Sequence, residues 1–339
     1  MINKAEKLHK DAIVIDATCP LASYGTYFKR WISGGITVIA PTVADPNDFI
    51  EATMHKLAVW FKTLRDHSDK LLHVTTVEDI FRAKKENKLG IIFAFQNTNH
   101  FNNDLNMIEV YQRLGIRMVQ LCYNVKNSVG DGCTERTDCG LSKFGMKVIF
   151  EMNRVGIVID LSHTGYKTTM EAIEVSQKPV IFSHSNVNSV CYSHRNLFDN
   201  QIKAVASKGG VVGINGYPAF VANKSKPNLN DFLRHVDYAA ELVGTEHISL
   251  GIDYDVCTAG FIRDEEAKAI YNGYVEAGLY DPNVYPPPPW YFPEGIEVPD
   301  KLPNLTAALM DRGYSEKDIK NILGNNLIRV FKEVWNVKV

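Results

Sequence analysis

The sequence lacks the features that mark a membrane-spanning, exported or nucleic-acid-binding protein. Its 339 residues contain no uninterrupted apolar run of about 18 residues, so we expect no membrane span. The formal net charge of −2 disfavours nucleic acid or an anionic membrane surface as the main partner. The first apolar run meets Asp16 too early for a secretory signal, and the six cysteines form no CxxC pair. We therefore predict a cytoplasmic protein with reduced thiols.

Short apolar runs recur along the chain, with helical stretches between them. Apolar residues make up 45% of the sequence, which is enough for a large buried core. The runs are too short for helices, and many are rich in β-branched residues, so each predicts a buried strand. They lie at Ala12–Ile15, Ile36–Ala40, Gly90–Phe95, Arg117–Cys122, Gly156–Leu161, Pro179–Phe182, Gly210–Ile214 and His247–Gly251. Strands alternating with helices in this number predict an α/β fold, a single (β/α)8 TIM barrel over residues 1–339.

Two segments interrupt the alternation. Residues 124–141 are polar and contain glycine, so we expect a long loop over the top of the barrel. Residues 281–303 carry four consecutive prolines and several aromatic side chains, which favour an extended arm over a regular helix. The sequence is equally compatible with an arm that acts as a lid or dimer contact and with a packed surface excursion.

The ends of several helices are also marked in the sequence. Residues 144–155 have helical apolar spacing and end at Gly156, which we expect to cap the helix. Residues 304–312 and 315–331 predict two amphipathic helices near the C-terminus. We expect Ser315 to cap the second of these, with Asp318 in the position of a capping-box acid.

Two histidines lie at the ends of successive predicted strands. His163 follows the apolar run of residues 157–161, and His184 follows Val180–Phe182. Polar side chains at the C-terminal ends of barrel strands are where this fold builds metal and acid–base sites. A single histidine of this kind is more often a hydrogen-bonded core residue. Two in matching positions favour a shared site.

Long segments of the chain resemble the membrane (renal) dipeptidase family, peptidase family M19, whose members are zinc peptidases with an amidohydrolase-like barrel. The resemblance is carried by GLSKFGMKVIFEMNRVGIVIDLSHT, KPVIFSHSN, HRNLFDNQIKAVASKGGVVGIN, ISLGIDYD and PNLTAALMDRGYSEKDIKNILGNNLIRVF. It covers most of the chain and is weaker in the first hundred residues. It implies a barrel of the metal-dependent hydrolase type, dipeptidase activity and a homodimer.

The family's first metal half-site is degenerate in this sequence. Family members bind one zinc through the histidine and aspartate of a DGHxD motif, and those positions here fall on Thr18 and Pro20. Proline has no donor atom. The glutamate that bridges two zinc ions in the family falls on Gln96, whose neutral amide cannot balance the charge of two dications.

The resemblance implies that the other half-site is kept, with His163 and His184 binding one divalent ion, which we expect to be Zn²⁺. Gln96 and Asp253 are further candidate ligands. Asp253 also matches the family's catalytic acid/base, and one residue can hardly be both a tightly bound ligand and a free base.

Three more residues are expected to contact the substrate. Tyr123 stands where the family has a histidine, and its phenol can donate a hydrogen bond to a developing oxyanion. Arg195, followed by Asn196, matches the arginine that binds the substrate carboxylate.

Asp255 lies two residues after Asp253 and is expected on the opposite face if the strand continues.

Several polar residues near these positions have less definite expectations. Cys19 is a thiolate ligand, a nucleophile or a small buried apolar residue, and the last is favoured. We expect His100 and His194 to face solvent. Asp16 and Asp160, at or near strand ends, are expected to hydrogen-bond to metal ligands.

The leading hypothesis is a dipeptidase-like metallohydrolase. It would cleave an amide or peptide bond in a small carboxylate-bearing or dipeptide-like substrate, using one divalent ion. The substitutions at Thr18, Pro20, Gln96 and Tyr123 change a half-site together, which raises an alternative: a lyase, isomerase or tailoring enzyme that acts on a small carboxylate metabolite. A third hypothesis is a non-catalytic, metal-free binding protein.

Overall fold

Short parallel strands form the wall of an α/β barrel, which confirms the predicted fold class. The structure is a computed structural model and describes residues 4–25 and 27–336. The strands are β1 (Ile15–Asp16), β2 (Val38–Ile39), β3 (Leu71–His73), β4 (Leu89–Ile91), β5 (Phe93–Phe95), β6 (Ile116–Gln120), β7 (Val158–Asp160), β8 (Ile181–Phe182), β9 (Val211–Ile214) and β10 (Ile248–Leu250). Each predicted run contains at least part of an observed strand. Only β3 was not predicted, and it lies at a sheet edge, paired with β4.

The strands form two parallel sheets that are joined at two places. Their orders are β1-β2-β4-β3 and β10-β9-β8-β7-β6-β5. At one junction the Ala17 amide donates to the Leu250 carbonyl oxygen over 2.9 Å, and at the other the Val43 amide donates to the Ala94 carbonyl oxygen over 3.1 Å. These contacts join the two sheets into one barrel. The carboxyl ends of its strands consequently meet at one face.

Helices follow most of the strands and cover the outside of the barrel. They are α1 (Lys4–Asp11), α2 (Phe28–Ser33), α3 (Ile50–Asp66), α4 (Val77–Glu86), α5 (Asn106–Arg113), α6 (Lys143–Val155), α7 (Tyr166–Val175), α8 (Asp199–Ser207), α9 (Pro218–Val221), α10 (Leu229–Val243), α11 (Asp264–Glu276), α12 (Pro303–Asp311), α13 (Glu316–Lys320) and α14 (Asn326–Trp335). A π-helical turn at Asn321–Asn325 joins the last two. In the part of the chain that the structure describes, no helix combines the length and apolar character needed to cross a membrane.

The predicted helix caps are confirmed. The Ser142 side chain accepts a hydrogen bond from the Gly145 amide at the start of α6, which ends at Gly156 with a φ of 78°. Such a left-handed conformation favours glycine because a Cβ atom is strained there. Ser315 accepts a hydrogen bond from the Asp318 amide at the start of α13. The predicted final helix is split into α13, the π turn and α14.

Neighbouring residues of a strand belong to different layers of the core. In β7, Ile159 packs in one buried cluster and Val158 in another. Successive side chains of a strand point to opposite faces, so one cluster lies inside the barrel and the other lies between the barrel and its helices. The strands are therefore apolar on both faces, and their polar residues lie mainly at or beyond their ends.

The two irregular segments lie close to the barrel face at which the carboxyl ends of the strands meet. Residues 124–141 contain no helix or strand, and a bridge between Gly132 and Thr164 ties them to the loop after β7. In the arm of residues 281–303, Tyr285, Trp290 and Phe292 are buried. The arm is thus packed against the barrel through its aromatic side chains.

Candidate active site

His163 and His184 lie side by side beyond the carboxyl ends of β7 and β8. Both imidazoles are buried, and their Nε2 atoms are 2.8 Å apart. His163 has a φ of 65°, an uncommon conformation for a residue with a side chain. The structure therefore brings together the two histidines that the sequence singled out.

The Nδ1 atom of His163 is held by Asn124 in the loop after β6. Asn124 Oδ1 lies 2.7 Å from it, while Asn124 Nδ2 donates to the Leu279 carbonyl oxygen over 2.8 Å. The second contact fixes the orientation of the amide, so Oδ1 faces the imidazole as an acceptor. His163 consequently carries its proton on Nδ1 and presents the lone pair of Nε2 to His184.

His184 is held in a similar way by hydroxyl groups. Ser183 Oγ lies 2.6 Å and Thr18 Oγ1 3.0 Å from His184 Nδ1. Ser183 donates to Asp160 Oδ2 over 2.5 Å, and Thr18 donates to Ser183 over 3.1 Å. Thr18 has one proton for two acceptors, so His184 Nδ1 either accepts from Thr18 or donates to one of the two hydroxyl oxygens. Asp160 orients this histidine through Ser183.

Asp16 does not contact either histidine. Its Oδ1 accepts from the Ile252 amide over 2.8 Å, and its Oδ2 accepts from Trp31 Nε1 over 3.1 Å. It therefore ties the end of β1 to the segment that leads to Asp253.

Burial sets the charge of the histidine pair. Loss of solvent, reinforced by the positive charge of Arg195, lowers the pKa of both imidazoles well below the usual histidine value. Both are therefore neutral near neutral pH, which is the form that binds metals. The two Nε2 atoms face each other at hydrogen-bond distance, so one imidazole donates to the other unless a cation lies between them.

The donor set does not fit the pair of metal ions that the resemblance implies. In the described ranges, 4–25 and 27–336, no group of three or more His, Cys, Asp or Glu side chains is arranged to hold a metal. Thr18 bonds to His184 and Ser183, and Pro20 lines the adjacent cavity without a donor atom. Catalytic zinc sites usually have three protein ligands. An ion at this site would be bound by two imidazoles. Its further ligands would have to come from water, the substrate or the Gln96 amide.

A cavity of about 270 Å³ opens beside His163. Gln96, Tyr123 and Asp253 line it together with His163, whereas His184 and Arg195 do not. Much of its wall is aromatic: Tyr24, Trp60, Tyr217, Tyr274, Tyr280, Tyr285 and Trp290. We call it the tyrosine pocket. Its size suits a small molecule, as expected for an enzyme of this fold.

Asp253 presents its carboxyl group to the tyrosine pocket. Asn215 Nδ2 donates to its Oδ2 over 3.3 Å, and its φ is 67°. Burial raises the pKa of this carboxyl group well above its usual value; the positive charge of Arg195 opposes this effect and the negative charge of Asp255 adds to it. Asp253 is thus a group that can hold a proton under conditions in which an exposed aspartate would not.

Tyr123 stacks on His163, with ring centroids 4.2 Å apart and an interplanar angle of 23°. Its side chain is buried, and burial raises the pKa of the phenol well above its usual value. The hydroxyl consequently stays protonated and is available as a hydrogen-bond donor at the pocket wall.

Arg195 lies behind Tyr285 and not in the wall of the tyrosine pocket. Its Nε donates to the Tyr285 hydroxyl over 2.9 Å, and one terminal nitrogen donates to the His184 carbonyl oxygen over 3.2 Å. It lines a smaller cavity of about 170 Å³ that also reaches His163. Asn196 lines this second cavity too, but its Nδ2 is bound to two carbonyl oxygens, those of Cys191 and Phe220. Arg195 and Asn196 are therefore separated from the pocket that holds Asp253.

Two expectations about neighbouring residues were wrong. Asp255 lines the same pocket as Asp253, because β10 ends at Leu250 and the alternation of faces does not continue beyond it. His100 is fully buried, whereas His194 is exposed as expected.

Cys19 is buried in the core, and its thiol lies 3.5 Å from the Asp16 carbonyl oxygen. Burial raises the pKa of that thiol well above its usual value, so the apolar interpretation of Cys19 is favoured.

The sequence analysis missed two residues that shape the site. Asn124 lies two residues after the predicted strand of residues 117–122. A polar residue in that position is a signal that could have identified it as part of the site. Tyr285 lies in the arm, and no local pattern distinguishes it from the other aromatic residues there. Its hydroxyl lies 3.4 Å from His163 Nδ1 and donates to Asn124 Oδ1 over 3.0 Å.

Comparison with known proteins gives consistent results. Residues 29–268 and 290–339 match the family described as membrane dipeptidase (peptidase family M19). An uncharacterized dipeptidase of Schizosaccharomyces pombe is 26% identical over 296 residues, which cover 85% of this chain and 64% of that protein. Dipeptidase tcpJ of Claviceps purpurea is 26% identical over 303 residues, which cover 86% of this chain and 64% of that protein. The chain thus spans less than two thirds of the length of these relatives.

Two solved structures share the fold. An amidohydrolase from Pseudomonas aeruginosa is 34% identical, with a TM-score of 0.87, and the match covers 98% of this chain and 99% of the other. A metallopeptidase from Rhodobacter sphaeroides, bound to a phosphinate mimic of the dipeptide L-Ala-D-Ala, is 19% identical with a TM-score of 0.79. That match covers 96% of this chain and 100% of the other. At this identity the second likeness concerns the fold alone.

Proposed function

The chain belongs to the membrane dipeptidase family, peptidase family M19, and from this premise we propose that it is a hydrolase that cleaves an amide or peptide bond in a small substrate, using one divalent ion. The observation that carries the proposal is the orientation of His163 and His184. Asn124 and Ser183 hold the Nδ1 atoms, so that the two Nε2 atoms face each other next to the tyrosine pocket. This is the arrangement of metal-binding histidines held by outer hydrogen-bond partners.

A zinc ion held by His163 and His184 would supply Lewis-acid polarisation of the scissile carbonyl group and a more acidic water molecule. The chain's own residues have separate tasks in this proposal. Asp253, whose pKa is raised, takes a proton from the attacking water and returns it to the leaving amine. Asn215 keeps the Asp253 carboxyl group in place, and Tyr123 donates a hydrogen bond to the oxygen on which charge develops.

The substrate carboxylate expected at Arg195 would have to bind on the far side of Tyr285. In the present arrangement the Tyr285 hydroxyl already accepts from Arg195 Nε. The substrate enters through the tyrosine pocket, where Asp253 lies. We also propose a homodimer from the family resemblance, and analytical ultracentrifugation tests it separately.

The proposal is tested by metal analysis and hydrolysis assays on the same untagged preparation. We expect about one equivalent of zinc per chain by plasma mass spectrometry, and release of product from a panel of dipeptides and aminoacyl amides. His184→Ala should lose the metal and at least about a hundredfold in kcat/KM. His194→Ala is the matched control, because that side chain is exposed and should leave both quantities unchanged.

A second variant separates loss of the metal from loss of the acid/base. Asp253→Asn should keep its zinc and lose activity, since the amide cannot accept the proton. Equal activity of the wild type and His184→Ala would contradict a role of the metal in hydrolysis. A metal-free preparation that hydrolyses every panel member at the wild-type rate would contradict it as well.

A metal-independent role of the same pocket is the second candidate, and one observation favours it. The described residues offer two imidazoles and no third conventional ligand at the site. A lyase, isomerase or tailoring enzyme would turn over a metabolite in the presence of a chelator and leave dipeptides unchanged. A binding protein would show neither turnover nor a thermal shift on addition of zinc.

A further inference from the structure

The contact between Tyr285 and Arg195 bears on which substrates the site accepts. The Tyr285 hydroxyl lies 2.9 Å from Arg195 Nε and donates to Asn124 Oδ1 over 3.0 Å. It therefore occupies the position beside the guanidinium group where an oxygen of a bound carboxylate would lie. Arg195 is 2% exposed and forms no ion pair with any carboxylate of the described residues.

Tyr285 is held firmly in this position. Its ring stacks on Tyr280 with centroids 4.3 Å apart and an angle of 4°, and its backbone carbonyl oxygen accepts from the Tyr271 hydroxyl over 2.8 Å. Phe220 packs against it edge to face, at a centroid distance of 5.3 Å. The hydroxyl group is thus a built part of the site.

The charged side chains that line the tyrosine pocket do not favour an anionic ligand. The charged side chains among its described lining residues are Asp45, Lys56, Asp253 and Asp255. Lys56 pairs with Asp45 and also with Asp48, at 2.6 Å from the latter. A carboxylate that entered the pocket would therefore meet carboxyl groups and no unpaired cation of the described lining residues, which is unfavourable in a site of low polarity.

The same lining suits a protonated amine. Ammonium groups bind to the faces of tyrosine and tryptophan rings, and nearby carboxylates strengthen the contact. Asp253 and Asp255 line the same cavity as Tyr217 and Trp290. Aromatic faces and two carboxyl groups thus surround the same part of the pocket.

Three buried polar atoms at the pocket wall have no partner within the described residues. They are the Thr42 hydroxyl, Nε2 of Gln96, a side chain that is 8% exposed, and the hydroxyl of Tyr217, which is 3% exposed. Buried polar groups in native proteins are almost always hydrogen-bonded, so these atoms indicate a ligand or water. The Gln96 nitrogen can only donate, and it therefore requires an acceptor such as an amide carbonyl oxygen.

We propose that the tyrosine pocket selects amides that carry a protonated amine and no free carboxylate, such as aromatic aminoacyl amides. The amine binds near Asp253 and Asp255, the carbonyl oxygen accepts from Gln96, and the Tyr285 hydroxyl takes the place of a carboxylate at Arg195. This inference rests on the proposed function, because it names the substrate class for the same pocket.

The experiment compares two small probes by isothermal titration calorimetry at about pH 6.5. L-phenylalaninamide has the amine and lacks the carboxylate, whereas N-acetyl-L-phenylalanine has the carboxylate and lacks the amine. We expect wild-type protein to bind the amide at least about tenfold more tightly, a difference of about 1.4 kcal/mol. Chromatography after each titration checks that the amide is intact. Equal or tighter binding of the acid by the wild type would overturn the inference.

Variants then assign the preference to residues. Tyr285→Phe frees Arg195 Nε and should raise the affinity for the acid at least about threefold, while Asp255→Asn should weaken only amide binding. Tyr238→Phe removes a hydroxyl bonded to Asp199 away from the pocket and is the matched control. An unchanged affinity of Tyr285→Phe for the acid would refute the role of Tyr285. If that variant does not fold, the comparison of the two probes on wild-type protein still decides the inference.

These binding results are independent of hydrolysis. A protein that prefers the amide but hydrolyses nothing would support the inference and contradict the proposed function. The protein could instead hydrolyse dipeptides with a free carboxylate as fast as aminoacyl amides and bind both probes equally. That result would support the proposed function and contradict the inference.

Discussion

Acid should destabilise this protein through His100, a buried histidine near the tyrosine pocket. The side chain has no solvent exposure, its Nδ1 lies 2.9 Å from the Thr53 hydroxyl, and its ring packs on Phe95 at a centroid distance of 4.2 Å. Its Nε2 atom is buried as well. Burial lowers the pKa of His100 from 6.5 to about 3.

The sign of the effect follows from proton binding in the two states. Between about pH 6.5 and pH 3 the unfolded chain binds a proton at His100 and the folded protein does not, so the free energy of unfolding falls as the pH falls. A solution at pH 5 is about 1.5 pH units below the pKa of about 6.5 that His100 has in the unfolded chain. At about 1.4 kcal/mol per unit, His100 alone then costs about 2 kcal/mol of stability relative to neutral pH.

The assay is equilibrium urea unfolding at about pH 7.5 and pH 5 of the wild type, His100→Phe and His194→Phe. His100→Phe keeps an aromatic ring and cannot be protonated, so it should lose about 2 kcal/mol less than the wild type on acidification. At the higher pH it should be less stable, because the Thr53 hydroxyl loses its partner. His194→Phe should follow the wild type, since His194 is exposed.

The comparison between variants matters more than the total loss. Burial also lowers the pKa of His73 and of His235 to about 4, so the wild type loses stability in acid through these residues too. Equal acid-induced losses for the wild type and His100→Phe would refute the reasoning about His100.

Three further predictions concern packing, capping and the hydrogen bonds behind the histidines. Gly213→Ala should cost about 3 kcal/mol in urea unfolding, because the new Cβ would lie 2.0 Å from the Ser183 carbonyl oxygen, whereas Gly273→Ala has open space and should not destabilise. Ser142→Ala removes the cap of α6 and should lower the urea midpoint by the equivalent of about 1 kcal/mol with an unchanged slope. Asp160→Asn should weaken zinc binding about 10- to 100-fold in a chelator competition, since Ser183 loses its anionic acceptor; unchanged affinity would contradict the path from Asp160 to His184.

The strands of the barrel could be predicted because they are buried on both faces. Continuous apolar runs such as residues 157–161 and 210–214 carry a strong signal of this kind, and each became a strand. The strand β3 (Leu71–His73) pairs only at a sheet edge, and its half-buried His73 interrupts the apolar run. The sequence therefore lacks the continuous apolar signal there.

The histidine pair could be predicted because its position depends on local sequence alone. Polar residues that directly follow two neighbouring parallel strands must meet at the same barrel face. Whether Asp255 lies on the same side as Asp253 could not be predicted. The alternation of side chains ends where β10 ends, and Asp253 then adopts a φ of 67°. The burial of His100 and the position of Tyr285 depend on how α3 and the arm pack, which is tertiary information.

The loss of ligands and the chemistry of the pocket are physically connected. In a two-metal site, the dications balance the carboxyl groups around the substrate. In this chain Thr18 has become a hydrogen-bond partner of His184, and Pro20 is a wall of the pocket. In the proposed one-ion site, Asp253 and Asp255 face the pocket with less positive charge near them, which favours a cationic group of the substrate beside them. The substitutions in the first half-site thus agree with the amine-bearing substrates that we propose from the contact of Tyr285 with Arg195.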